Sequence, residues 1–173
     1  MDPVLSPEGA AFIGAWEGFI EHCYDDSRGN CTVGIGHLVH MGATTQADRD
    51  HWGTLSLPHA IALLQADAHR NGLDALEASV TVQLTQGQVD ALISLCFNCG
   101  PGALASGHAV ATAVNSKPAR WNPLDMKAWR TRVSDAIMLW ANPPELTRRR
   151  QSEAFLFRTG KYTKATGNPH ANA

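Results

Sequence analysis

The stretch from Cys23 to His37 constrains the fold more than any other part of this chain. It reads Cys-Tyr-Asp-Asp-Ser-Arg-Gly-Asn-Cys-Thr-Val-Gly-Ile-Gly-His. Asp, Ser, Gly and Asn crowd positions 25–30, and each of these residue types favours a turn. β-prone residues flank that turn on both sides, so the segment is predicted to be a β-hairpin. Residues 41–55 show no period and are predicted to be loop. Most of the remaining chain has helical patterning, so the fold class is α+β, with the hairpin segregated from the helices.

Helix signals start with Ser6-Pro7, an N-cap followed by proline at the first helical position. Phe12, Ile13 and Trp16 then form a short apolar face. A second helix opens at Pro58, capped by Ser56 or Leu57. It carries Ile61, Leu64 and Ala68 on one face and runs to about residue 79. Gly72 weakens it by roughly 1 kcal/mol relative to Ala, but it is long enough to link two lobes. Thr85-x-x-Gln88 is a capping box. It opens a helix through Val89, Leu92, Ile93 and Cys96 that is apolar on nearly every turn, the pattern of a lobe's core helix. Gly100 to Gly107 is a break. Further helices are predicted near 107–116, 125–140 and 145–158, the last two separated by Asn142-Pro143-Pro144, since proline fits a helix start and not its interior. The division expected is a single domain over 1–173. Within it, a small lobe covers about 12–58, a linking helix about 58–79 and a helical lobe about 80–162 that packs with the N-terminal helix. A flexible tail covers 163–173.

The chain has 173 residues, 44% of them hydrophobic. That is ample for one packed domain and too apolar for disorder. No apolar run approaches the ~18 residues of a membrane-spanning helix. Met-Asp-Pro-Val is not the start of an ordinary signal peptide, so a role outside the cytoplasm would require another means of release. Net charge is −2, yet residues 1–116 sum to −9 and residues 117–173 to +7. A basic end suits an anionic partner such as nucleic acid, lipid or cell wall, or it neutralises the acidic part across the fold. Three consecutive arginines, Arg148 to Arg150, fan around a helix and cannot all track one phosphate backbone, which argues against nucleic acid. Trp121, Trp129 and Trp140 are expected in the core rather than as sugar platforms.

Four cysteines, Cys23, Cys31, Cys96 and Cys99, offer a zinc set in principle. Zinc sites usually pair two short spacings, and seven residues between Cys23 and Cys31 are too many. Buried free thiols are the expectation. The histidines show no metal spacing such as His-Glu-x-x-His, and no metal or cofactor is expected.

Chemistry concentrates at residues 17–37. Glu17 ends a helix, a carboxylate follows nine residues later in the turn, and a threonine six residues after that. Such a pair can sit on opposite walls of a cleft, as glycoside hydrolysis requires. Spacing alone does not distinguish this from a solvated Asp-Asp turn. Glu17-Gly18-Phe19, Tyr24, Asp26, Gly29 and Thr32-Val33-Gly34-Ile35-Gly36-His37, taken together, resemble the signature of the phage-type (T4-lysozyme-like) lysozymes and endolysins, glycoside hydrolase family 24. Phe97-Asn98-Cys99-Gly100 is similar to that family's turn along the substrate cleft. Pro144 to Arg150 and Phe157 to Tyr162 are similar to its basic C-terminal helix and closing aromatic. The likeness spans most of residues 6–162.

The resemblance implies a lysozyme-like fold of two lobes and a muramidase. Such an enzyme cuts the β-1,4 bond between N-acetylmuramic acid and N-acetylglucosamine of bacterial peptidoglycan. It implies Glu17 as general acid, Asp26 as base and Thr32 as holder of the attacking water, with inversion at the anomeric carbon. Inverting pairs stand about 6.5–9.5 Å apart, and the acid must hold its proton near neutral pH, a demand that burial serves. Asp25 competes with Asp26, but neighbours in a hairpin point to opposite faces, and the family spacing selects Asp26. The same resemblance places Asn98 and Gly34 along the substrate cleft and pairs His37 with Asp67 in a structural contact. One arginine, for which Arg149 is the choice, is expected to pair with Glu17 or line the cleft, with the other two facing solvent or the wall polymer. The sequence departs from the family in its long 39–56 loop, its Gly/Pro-rich 100–123 region and the cysteines flanking the catalytic turn, where a Cys23–Cys31 disulfide is the alternative to free thiols. The expected protein is a monomeric endolysin, made in the host cytoplasm and released to the periplasm and wall. The alternatives are an antibacterial effector delivered by a secretion machine, a non-catalytic wall-binding scaffold, and lytic cleavage that forms the anhydro sugar.

Overall fold

A computed structural model of the chain describes residues 4–163. The expected tail therefore lies, apart from Thr163, outside the described residues. Eight α-helices and one three-stranded sheet make up the regular structure of the described part. Helix α1 (Pro7–Glu17) starts where Ser6 accepts a hydrogen bond from the Gly9 amide. Strands β1 (Ile20–Asp25), β2 (Cys31–Gly34) and β3 (His37–His40) follow as an antiparallel meander in the order β1-β2-β3. Tyr24 pairs with Thr32 across β1 and β2, and Thr32 with Leu38 across β2 and β3. Gly34 closes β2 at φ +68°, a conformation that only glycine adopts at little cost. A Cβ there would also meet Leu55 at 2.9 Å.

The predicted loop at 41–55 is corrected by helix α2 (Gln46–Trp52). Its signal was the pair Thr45 and Asp48, a capping box in which each side chain satisfies the other's backbone amide. Seven residues, none of them buried, give too little apolar periodicity to reveal a helix.

The linking helix is continuous in its course but not in its winding. Helix α3 (Leu57–Ala68) passes through a π-helical stretch, His69–Leu73, into α4 (Asp74–Ser79). Gly72 falls in that stretch, and a Cβ there would stand 3.1 Å from the Ile93 side chain and 3.3 Å from its Cα. The glycine that weakens the helix is what lets it approach the core helix closely. That core helix, α5 (Gln86–Cys99), buries nine consecutive residues from Gln88 to Cys96. The Gln88 side chain accepts from the Thr85 amide at 3.0 Å, as the capping box predicts.

Around α5 stand α6 (Ala109–Asn115), α7 (Pro123–Met138) and α8 (Thr147–Thr159). Short 3-10 turns lie at Pro101–Leu104 and Pro144–Leu146. Trp129 is fully buried; its indole donates to the carbonyls of Ala113 and Val114, and its ring meets Phe157 edge-on at 5.5 Å. Trp121 is 78% exposed, which corrects its assignment to the core. Helix α1 is tied to α5 through buried Asp90. That carboxylate accepts from the Ser6 amide at 3.0 Å, the Ser6 hydroxyl at 2.6 Å and the Tyr162 hydroxyl at 2.5 Å. Burial and the Asp90 bond push the Tyr162 phenol up to about 12. No described helix is long and apolar enough to cross a membrane.

Candidate active site

A cleft of about 650 Å³ opens beside the sheet, lined by Glu17, Asp26, Arg28, Gly36, Leu38, Asp67, Arg70, Phe97 and Asn98. Three regions far apart in sequence supply it: the end of α1 with the hairpin, the α3 end of the linking helix, and the C-terminal end of α5.

Glu17 is the last residue of α1, and its side chain is about a quarter exposed. Arg149 donates from Nη1 to its Oε1 at 2.6 Å. Arg149 is itself buried and donates through Nε to Glu153 at 3.2 Å. Glu153 is fully buried, accepts from Ser94 at 2.7 Å, and pairs with Arg150 at 3.1 Å. Two arginines therefore point inward, and among the three only Arg148 is exposed. This corrects the expectation that two face outward. The cause is Glu153, which lies one helical turn beyond both arginines, at spacings of three and four. Sequence reasoning passed over it, although that spacing was its signal.

Asp26 is held by its own turn. Its Oδ1 accepts from the amides of Arg28 at 2.8 Å and Asn30 at 2.9 Å. The Asn30 amide, with smaller help from Arg28 and the Asn30 side chain, keeps this carboxyl below the usual carboxylate range. Asp25 points elsewhere: its Oδ1 accepts from the Thr44 amide at 2.6 Å, away from the cleft residues. That bond lowers its carboxyl too.

Thr32 is buried in β2, and its hydroxyl donates to the Asn30 carbonyl at 3.1 Å. Its cross-strand partner Leu38 lines the cleft, and directly paired residues share a face of the sheet. Thr32 therefore lies on the cleft side of the sheet, although it is not itself among the lining residues. Gly34 is not among the lining residues; Gly36 is. His37 Nδ1 stands 2.8 Å from Asp67 Oδ2, the expected pair, and Asp67 is also paired with Arg70. Asn98 lines the cleft and accepts from Arg150 Nη2 at 2.8 Å. Tyr24 was visible in the signature but had no assigned role. Burial, then the nearby carboxylates of Glu17 and Asp26, raise its phenol above the usual value, which places it in the field of both acids.

All four cysteines are free thiols. Cys23 and Cys31 are not joined, and Cys99 is half-exposed rather than buried, beside the Arg150 guanidinium at 3.0 Å.

Comparison with known proteins supplies the lineage. The endolysin of Salmonella phage P22 is 32% identical over 157 residues, covering 88% of this chain and 97% of that protein. The solved muramidase domain of SpmX from Asticaccaulis excentricus superposes with a TM-score of 0.67 at 28% identity, covering 91% of this chain and 99% of the domain. The endolysin of Escherichia coli O157:H7 phage FAHEc1 shares the fold at a TM-score of 0.73 and 22% identity, over 92% and 96% of the two chains. Residues 14–153 match the phage lysozyme family throughout, and the chain belongs to that family.

Proposed function

We propose that the chain hydrolyses the β-1,4 bond between N-acetylmuramic acid and N-acetylglucosamine with inversion, using Glu17 as general acid, Asp26 as general base and Thr32 as the holder of the water. Membership of the phage lysozyme family makes it a peptidoglycan-degrading lysozyme; the residue roles and the stereochemistry are the proposal. The observation that carries it is that Glu17, at the end of α1, and Asp26, in the turn that follows β1, line one cleft.

Arg149 occupies Glu17 Oε1, so the proton for the leaving oxygen is carried on Oε2. Asp26 is kept ionised by two backbone amides, and an ionised carboxylate is what a base requires. The Thr32 hydroxyl proton is committed to Asn30. Its oxygen is thereby left to accept from a water that gives its other proton to Asp26. The water oxygen then attacks the anomeric carbon from the face opposite the leaving group. Glu17 protonates the departing oxygen, and the new hydroxyl carries inverted configuration. Asn98 and Arg149 support the substrate side of this cleft, while His37 and Asp67 brace its floor.

The cleft is complete within one chain, which suits a monomer. Acting on the wall, the enzyme has to leave the cytoplasm where it is made, and release through a holin lesion is the route that suits an endolysin. Mass spectrometry of digested peptidoglycan tests for hydrolysis, and proton NMR of the fresh product, read before mutarotation, tests for inversion. Reducing-end muramic acid with the inverted anomer is expected; 1,6-anhydromuramic acid would overturn the hydrolytic reading.

A further inference from the structure

We propose that Cys23, Cys31, His40 and Asp48 form a binding site for one zinc ion on the side of the sheet covered by α2. Cys31, His40 and Asp48 each offer a ligand atom, and these three atoms lie within 4.8 Å of one another. Ligand atoms around tetrahedral zinc stand roughly 3.2–3.8 Å apart, so the three need only small side-chain adjustments to close on an ion. Cys23 lies beside this group rather than within it, and a turn of its side chain would supply the fourth ligand. Its thiol contacts that of Cys31, and its Sγ stands 3.8 Å from the Asp48 carbonyl oxygen.

The topology explains why these residues meet. Cys31 and His40 are direct partners across β2 and β3, so their side chains leave the same face. Cys23 comes from the neighbouring strand β1. The capping box of α2 then fixes Asp48: the Thr45 amide and hydroxyl donate to its Oδ2 at 2.8 and 2.6 Å. The orientation of His40 is fixed as well, because its Nδ1 stands 3.0 Å from the Met41 carbonyl. A ring nitrogen donating to a backbone carbonyl leaves Nε2 as the coordinating atom, the usual arrangement behind a metal-bound histidine. In the metal-free chain Nε2 is 3.0 Å from Asp48 Oδ2, and a cation would take the place of the proton shared there. Two thiolates, an imidazole and a carboxylate are a donor set for zinc rather than for magnesium or calcium. Coordination converts both thiols to thiolates and displaces the proton held between His40 and Asp48, so three protons leave for solvent.

The site would join all three strands to α2, a helix with no buried residue of its own. Cys31 adjoins Thr32, and Cys23 lies three residues before Asp26, so an ion there would brace the hairpin from its far side without entering the cleft. This inference does not depend on the proposed roles of Glu17, Asp26 or Thr32. Cys96 and Cys99 belong to α5 and are not part of it.

The test uses the full chain, reduced with a phosphine, stripped with chelator and then titrated with zinc chloride. Native mass spectrometry should show one zinc gained per chain, and cobalt should give a sulfur-to-metal band in the near ultraviolet. His40→Gln, at a partly exposed position, should keep the apo-protein's Tm and circular dichroism while weakening zinc binding about a hundredfold or more. Cys31→Ser should diminish the cobalt–sulfur band, whereas Cys99→Ser should leave binding unchanged. A reduced chain that takes up no zinc would overturn the proposal. So would zinc affinity that survives His40→Gln, or a Cys23–Cys31 disulfide forming in place of the zinc complex when air and zinc are supplied together.

Discussion

Glu17 and Asp26 line the same cleft, but they are held there by opposite means. Asp26 is fixed by amides two and four residues away in its own turn. Glu17 is fixed by Arg149, a partner 132 residues distant, which in turn leans on fully buried Glu153. One wall of the site is a local motif that the turn sequence builds by itself. The other exists only after α8 has docked against α5 and α1. Loss of tertiary packing should therefore misplace the acid before it misplaces the base.

The largest effect is expected from Glu17→Gln. The amide cannot donate the proton that the leaving oxygen needs, and such a group contributes about 10²–10⁴-fold. Turbidity clearing of permeabilised Gram-negative cells should fall by that factor while Tm stays near the parent value. Retention of more than about a tenth of the activity would remove Glu17 from the role of acid.

Asp26→Asn should come next, with a loss in the same range. Asparagine still presents Oδ1 to the two turn amides, so the fold should persist and only the base be lost. Asp25→Asn should be mild, because that side chain serves the Thr44 amide. The reverse ranking would move the base to Asp25. A pH profile sharpens the point. The native Asp26 carboxyl sits below the ordinary range, so it stays ionised as pH falls through that range. Any stability from the turn's hydrogen bonds to it is present above the unfolded value and lost only as pH drops through the lower folded one. The acid limb of activity that belongs to Asp26 should accordingly lie below that of an unperturbed aspartate.

Glu153→Gln probes the distant wall. It leaves two buried arginines short of a charge partner, and breaking a buried pair on one side costs about 3–5 kcal/mol. Chemical denaturation should show that loss. Since Glu153 acts through Arg149, a raised KM and a lowered kcat should accompany it even at temperatures where the variant is folded. A variant with parental kinetics and only lowered stability would show that Arg149 orients Glu17 without help.

The same contrast explains what was legible in the sequence. The hairpin, the capping box at Thr85 and Gln88, and the spacing of Glu17, Asp26 and Thr32 are short-range patterns, and each could be read along the chain. Helix α2 was missed because an exposed helix of two turns carries no apolar period, although Thr45 and Asp48 announced its start. Arg149 was read as the partner of Glu17, but the inward turn of Arg150 was missed because the rest of a run of three arginines reads as a solvated face. Only a buried carboxylate at the right helical spacing reverses that, and burial is a property of the folded whole. The cluster of Cys23, Cys31, His40 and Asp48 was invisible for a similar reason. Its members are spread over three strands and a helix, and cross-strand register, not linear spacing, assembles them.

His37→Asn should give the smallest effect on activity and the clearest separation between bracing and chemistry. The ring contacts Asp67 at 2.8 Å and packs 5.7 Å from the Trp52 ring, with both partners of the pair largely buried. Removing one side of such a bond costs about 1–3 kcal/mol, or roughly 2–4 °C of Tm per kcal/mol for a chain of this size. Asp67 keeps Arg70 as a partner, which places the cost toward the lower end of that interval. Neither His37 atom is needed to move a proton in the proposed scheme, so clearing activity measured well below Tm should stay close to the parent's. The pattern is the inverse of that expected for Glu17→Gln, where activity collapses and Tm holds. A His37→Asn variant with an unchanged Tm and abolished activity would put the histidine into the chemistry and would break the division of the cleft into a braced floor and two acidic walls.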